Sequence, residues 1–169
     1  MLHRRQFVTA GAALAGATAL PLPALADRVV QLSWDDLIPR GQNTKLLRQL
    51  RRQGVVSHGE FSTGFDQAEA QTVTEAYNGK TVRLPGFVVP LDLSSEGVRE
   101  FILVPFVGAC IHVPPPPANQ LVLVTTDKPF EFIGLEHAVA VTGTFDTMLT
   151  GTELAVIGYK MDAQKIRSV

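Results

Sequence analysis

The stretch Lys80-Thr-Val-Arg-Leu-Pro-Gly-Phe-Val-Val-Pro-Leu91 decides the fold. From Lys80 onward the hydrophobic pattern has a period of two, which is the period of side chains on a half-buried strand. Gly86 interrupts that run, where a glycine marks a bulge or a sharp bend. Downstream, four further stretches rich in β-branched and aromatic residues predict strands at about 100–106, 120–125, 137–145 and 153–161. They carry Ile102, Val104, Val122, Val124, Val139, Val141 and Ile157, with Gly143 and Gly158 inside the last two. Five short strands with a bent first strand predict a mostly β fold over residues 80–169. The expected form is a small five-stranded closed barrel of the oligonucleotide/oligosaccharide-binding (OB) type, with a β-sandwich as the alternative.

Residues 27–79 read as an arm and a helical lead-in. In Leu32-Ser-Trp-Asp-Asp-Leu-Ile-Pro39 the apolar anchors Leu32, Trp34, Leu37 and Ile38 are closed off by a proline, so the segment should lie on the core. Asp35 and Asp36 fit capping or solvation. Leu46, Leu47 and Leu50 share one face of a short helix over 44–52, with basic residues mostly elsewhere. Asp66 followed by Glu69 fits a capping box for a second helix running to about Tyr77 and stopping at Asn78-Gly79.

The first 26 residues have the layout of a removable export signal: Arg4-Arg5, an Ala/Gly/Leu run, then Ala24-Leu25-Ala26 before Asp27. The arginine pair followed by Phe7 fits the twin-arginine route, so a periplasmic location is expected. The apolar run is too short, and too rich in Gly and Pro, for the ~20 residues of a bilayer span. No cysteine stands at the cut to take a lipid. Removing the signal leaves 13 basic against 16 acidic residues, a formal charge of −3. Such a surface is a poor partner for nucleic acid, whose affinity rests on basic contacts to phosphate.

Gly108-Ala-Cys-Ile-His-Val-Pro-Pro-Pro-Pro-Ala-Asn-Gln120 carries the most specific chemistry. Four consecutive prolines forbid helix and predict a stiff polyproline-type arm or edge over 114–117. In an extended stretch Cys110 and His112 face the same way, their Cα atoms about 6–7 Å apart. A thiolate and an imidazole so placed are two ligands suited to zinc or copper. The pair also fits a nucleophile with its base, and the plain alternative to both is a buried small hydrophobe beside a loop histidine. A closed zinc site needs further donors; His137 is the candidate third ligand, with Glu136 and His58 behind it. Asn119 and Gln120 should bond carbonyls left over by the proline run, or face a ligand. One cysteine excludes an internal disulfide, and the chain has no CxxC, HExxH, GxSxG, P-loop or GxGxxG.

Trp34-Asp-Asp-Leu-Ile-Pro39, Asn78 to Leu91 and the Cys-Ile-His-Val-Pro-Pro-Pro-Pro block together resemble a bacterial family of exported proteins classed as a domain of unknown function. The resemblance implies a periplasmic or lipid-anchored protein, in some members encoded beside ABC-transporter parts in zinc-responsive loci. It therefore implies a non-enzymatic envelope accessory that binds a transition metal or assists a transporter, with Cys110 and His112 at the matching positions. A protein-interaction module using the barrel and its proline arm is the alternative.

Overall fold

The structure, a computed structural model, describes residues 28–40, 71–107, 116–151 and 156–169. Six strands form one sheet: β1 (Val30–Gln31), β2 (Lys80–Pro90), β3 (Val98–Val104), β4 (Val122–Phe130), β5 (Ala138–Gly151) and β6 (Val156–Ser168). The fold is mostly β, as the period-two pattern requires. β5 and β6 are longer than their sequence pattern suggests, at 14 and 13 residues, because they extend each other as one antiparallel ladder. Among the described residues the helical content is a single 3₁₀ turn, Ala118–Gln120.

The pairings close a ring: β2 with β3, β3 with β4, β4 with β6, β6 with β5, and β5 back to β2. β4 and β6 run parallel and the other ring pairs antiparallel. β2 makes closure possible by changing neighbours along its length. Lys80 to Phe87 pair with β5, while Phe87 to Pro90 pair with β3. Phe87 is paired on both sides, so β3 and β5 lie on opposite edges of β2.

The edge of β2 that meets β3 is covered further back by the arm. β1 pairs in parallel at Val82 and Arg83, and the Leu32 N–H donates to the Arg83 carbonyl. Two residues on, the Trp34 indole Nε1–H donates to the Pro85 carbonyl at 2.7 Å. Proline has no N–H, so none is left unpaired in the gap between β1 and β3. Gly86 follows for a steric reason. A Cβ there would stand 2.7 Å from the Val104 carbonyl oxygen and 3.0 Å from the Trp34 ring.

Inward side chains of the ring and the arm's Leu32, Trp34 and Leu37 form one core cluster. The four arm anchors expected from sequence are all buried. A second cluster gathers Ile102, Val104, Phe106, Leu121 and Ile157. The run Phe101-Ile-Leu-Val104 is thus buried on both faces, which explains why it is apolar without alternation.

The helix expected to reach Tyr77 is not formed over 71–77; residues 66–70, and the helix expected over 44–52, lie outside the described residues. Two forces oppose helix here. Thr72-Val73-Thr74 is a β-branched run, and its backbone is engaged elsewhere: the Thr72 carbonyl accepts from Asn119 and the Thr74 N–H donates to Tyr159. Two i→i+3 turns, Asn78 N–H to Glu75 and Lys80 N–H to Tyr77, then feed β2.

Trp34 is the chain's one tryptophan, so its emission reports how the arm is seated. Gly86→Ala is expected to destabilise by about 1–3 kcal/mol through overpacking and to red-shift native emission. Denaturant melts followed by fluorescence check both; native emission and midpoint equal to wild type would refute this account of β2.

Candidate functional site

The Cys110–His112 block lies outside the described residues, but both of its flanks are placed. On one side β3 ends at Val104 and continues through the buried Phe106 to Val107. On the other, Pro116 and Pro117 are buried, and Pro117 has polyproline dihedrals, φ −58° and ψ 152°. The end of the proline run is therefore an extended anchor rather than a free arm.

The 3₁₀ turn that follows is held tightly. Gln120 N–H donates to the Pro117 carbonyl at 2.8 Å. Ala118 presses its carbonyl against β6 at Gly158, where a Cβ would come within 2.5 Å of it. Asn119 Nδ2 donates to the Thr72 carbonyl at 3.1 Å, and Gln120 Nε2 to the Trp34 and Asn119 carbonyls at 3.1 and 2.8 Å. The two amides thus bond carbonyls as the sequence suggested, but those bonded are chiefly in the arm and the 72–74 segment, not in the proline run. Both side chains are 1% exposed. Gln120 Oε1 has no hydrogen-bond partner among the described residues.

Tyr159 completes the tether from inside the ring. Its hydroxyl donates to the Leu37 carbonyl at 2.7 Å and accepts from the Thr74 N–H at 2.9 Å, with its ring 5.0 Å from that of Phe145. Sequence reasoning missed this residue, which reads as one more aromatic in a strand. Burial pushes its hydroxyl up to about 12, partly offset by the Thr74 N–H. Asp36 is a local cap: its Oδ2 accepts from the Ser33 N–H and hydroxyl at 2.7 and 2.6 Å.

His137 stands immediately before β5. Its N–H donates to the Gly134 carbonyl, and its Nε2 lies 2.8 Å from Ser168 Oγ. Glu136 is exposed beside it, and His58 lies outside the described residues. Among the described residues no group of three or more His, Cys, Asp or Glu side chains gathers that could hold a metal ion. No helix among them is long and apolar enough to cross a membrane.

A closed-ring β chain with a tethered arm is the class that this architecture defines. The chain belongs to the DUF3299 family, described as a protein of unknown function, whose model matches residues 34–168. It is similar to a solved DUF3299 family protein from Pseudomonas aeruginosa PAO1, with 35% identity over 83% of this chain and 96% of that one, at a TM-score of 0.63. A chain named as an aspartyl-tRNA synthetase from Leishmania major Friedlin also matches. At 11% identity and a TM-score of 0.40, covering 93% of this chain and 23% of that one, it carries no argument. No curated protein matches.

Because the Tyr159 hydroxyl is raised above the 10 of an ordinary tyrosine, its protonated form stabilises the fold. That contribution, about 2–3 kcal/mol, is complete below pH ~10 and is lost as pH rises through about 12. Tyr159→Phe should remove this alkaline limb, and at neutral pH lower stability by about 1–3 kcal/mol as two backbone groups lose their partner. Melts across pH 7–12 test both parts; identical alkaline profiles in the two proteins would refute the assignment.

Proposed function

We propose that this chain is a non-catalytic accessory protein of the cell envelope that holds a transition metal, zinc before copper, through Cys110, His112 and His137. The observation that carries the reading is the register around Phe87. It pairs with Val104 at the exit of β3, which leads to Cys110, and with Ala138, the residue after His137. The end of β3 that leads into residues 108–115 and the start of β5 that follows His137 thus flank one residue, about 10 Å apart across two strand spacings. The Ser168 hydroxyl supports the same reading. A ligating histidine needs its other ring nitrogen held so that tautomer and ring angle are fixed. With Ser168 accepting at Nε2, the lone pair falls on Nδ1.

The ring itself is read as an OB-type barrel. A long first barrel strand shared between two neighbours, and a parallel pair β4–β6 within an otherwise antiparallel ring, support this. Ile102 and Val104 on β3, with Leu121 just before β4, are apolar and buried, which favours a structural role over a nucleic-acid surface for that part of the ring. The export signal and the periplasm belong to the same reading, as does service to an ABC-type transporter, with the family resemblance as support.

The second reading is an interaction module with no metal, in which the proline run is a docking arm. Burial of Pro116 and Pro117 narrows it, because that end of the run is committed to the protein's own core.

The test is a zinc titration of the exported protein under reducing conditions. Cys110→Ser, His112→Ala and His137→Ala are each expected to weaken binding by about 10-fold or more, as loss of one ligand in a small donor set should. Equal, weak binding in all four proteins would overturn the metal reading.

A further inference from the structure

β4 and β6 run side by side from Val122 opposite Tyr159 to Thr126 opposite Ala163, and there β4 leaves. β6 continues to Ser168, paired with β5 alone. Beyond Ala163 no strand among the described residues covers the other edge of β6. Where the two strands part, a groove of about 300 Å³ opens, lined by Thr125, Thr126, Asp127, Asp162 and Gln164, with Thr144 behind.

The direction of the edge's hydrogen-bonding groups follows from the ladder. Val169 N–H donates to the Ala138 carbonyl, and bonded and non-bonded pairs alternate along an antiparallel ladder. Arg167 opposite Ala140 and Lys165 opposite Thr142 are then bonded pairs. Ile166 and Ser168, opposite Val141 and Val139, turn their N–H and C=O groups away from β5, towards the open edge. Gln164 is the extra residue of the bulge between Thr142 and Gly143, and it resets the alternation. Lys165 and Arg167 are consequently exposed while Ile166 is half-buried against the core. Neither basic side chain has an ion pair among the described residues.

We propose that the open edge of β6, residues 164–168, takes an extended, acidic segment of a partner protein as an added strand. Charge selects that occupant over a second copy of this chain. Two β6 edges paired antiparallel would set Lys165 against Arg167, and like charges directly opposite are destabilising. Carboxylates on alternate residues of an added strand would instead meet both cations. The groove's Asp127 and Asp162 repel an acidic side chain, so the acidic run must end before it. This edge uses no metal ligand, although Ser168 offers its hydroxyl to His137 on one side and its backbone to the edge on the other.

The test is an amide-resolved NMR titration of the full chain, in the presence of EDTA so that it stands apart from the metal reading. The probe is the blocked peptide Thr-Glu-Val-Glu-Val-Glu-Thr, with its Lys-for-Glu counterpart as control. The expected result is shifts at the Ile166 and Ser168 amides and at Thr125 to Asp127, slowed exchange of the first two, and binding that weakens with salt. Combined Lys165→Glu and Arg167→Glu should weaken binding about five- to ten-fold, the scale of two rim charges. Shifts confined elsewhere, equal binding of the lysine peptide, or unchanged affinity in the double variant would overturn the proposal. So would a concentration-dependent dimer that uses residues 164–168.

Discussion

The contact between the Trp34 indole and the Pro85 carbonyl is the constraint on which the rest of the ring depends. A strand shared by two neighbours on one edge must have a gap where neither is bonded. In β2 that gap falls between Arg83, held by the arm, and Phe87, held by β3. A polar backbone group left unpaired there would cost of the order of 1–3 kcal/mol. The chain meets the difficulty with three adjacent choices. Proline removes the donor, the tryptophan N–H takes the acceptor, and glycine makes room for the ring that carries that N–H. None of the three is sufficient alone.

From this point the arm is committed, and the remaining polar links follow its course. The Trp34 carbonyl goes to Gln120 and the Leu37 carbonyl to Tyr159. Those partners come from the 3₁₀ turn after the proline run and from β6, so one short arm is tied to two segments each more than 80 residues away in sequence. A network of this kind holds one arrangement only while its members are satisfied. Gln120 Oε1 is the exception: a buried acceptor among the described residues with no donor in reach. It sits at the foot of the proline run, three residues after its last proline.

The parts of this architecture that were legible in the sequence are those where one residue's environment is fixed by its near neighbours. The period-two pattern from Lys80 and the arm's four anchors belong to that kind; at Gly86, where a bulge or bend was expected, the register with β5 is unbroken and the glycine instead admits Val104 and Trp34. The capping box at Asp66 was a local signal too, yet over 71–77 it lost to tertiary bonds that no local pattern reveals: Thr72 and Thr74 are claimed by Asn119 and Tyr159. Tyr159 was illegible for the same reason, since its value lies in a hydroxyl aimed at residues 85 and 122 positions away. Cys110 and His112 drew attention through their chemistry and spacing. His137 could be named but not oriented, because its partner Ser168 is 31 residues further on.

Closure of the ring and openness of its edge are two consequences of one geometry. Parallel β4 and β6 must eventually diverge, because β4 turns off through Pro129 and Phe130 towards the loop that carries His137, while β6 stays with β5 to the end of the ladder. At the point of divergence the ladder gains one residue at Gln164, which keeps Ala163 and Ile166 turned to the core and Asp162 and Lys165 turned to solvent. Were Gln164 paired in regular alternation instead of bulged out, Lys165 would turn inward and Ile166 outward, since a one-residue shift exchanges the two faces of a strand. The bulge therefore preserves the core beneath the open edge, and the same step sets two cations that have no ion pair among the described residues beside two outward-facing backbone units. A sheet that needed only to be closed would have no use for such an edge, and a long neutral one would invite self-association. On that proposal the basic side chains set this edge against its own kind while leaving it open to a strand of opposite charge.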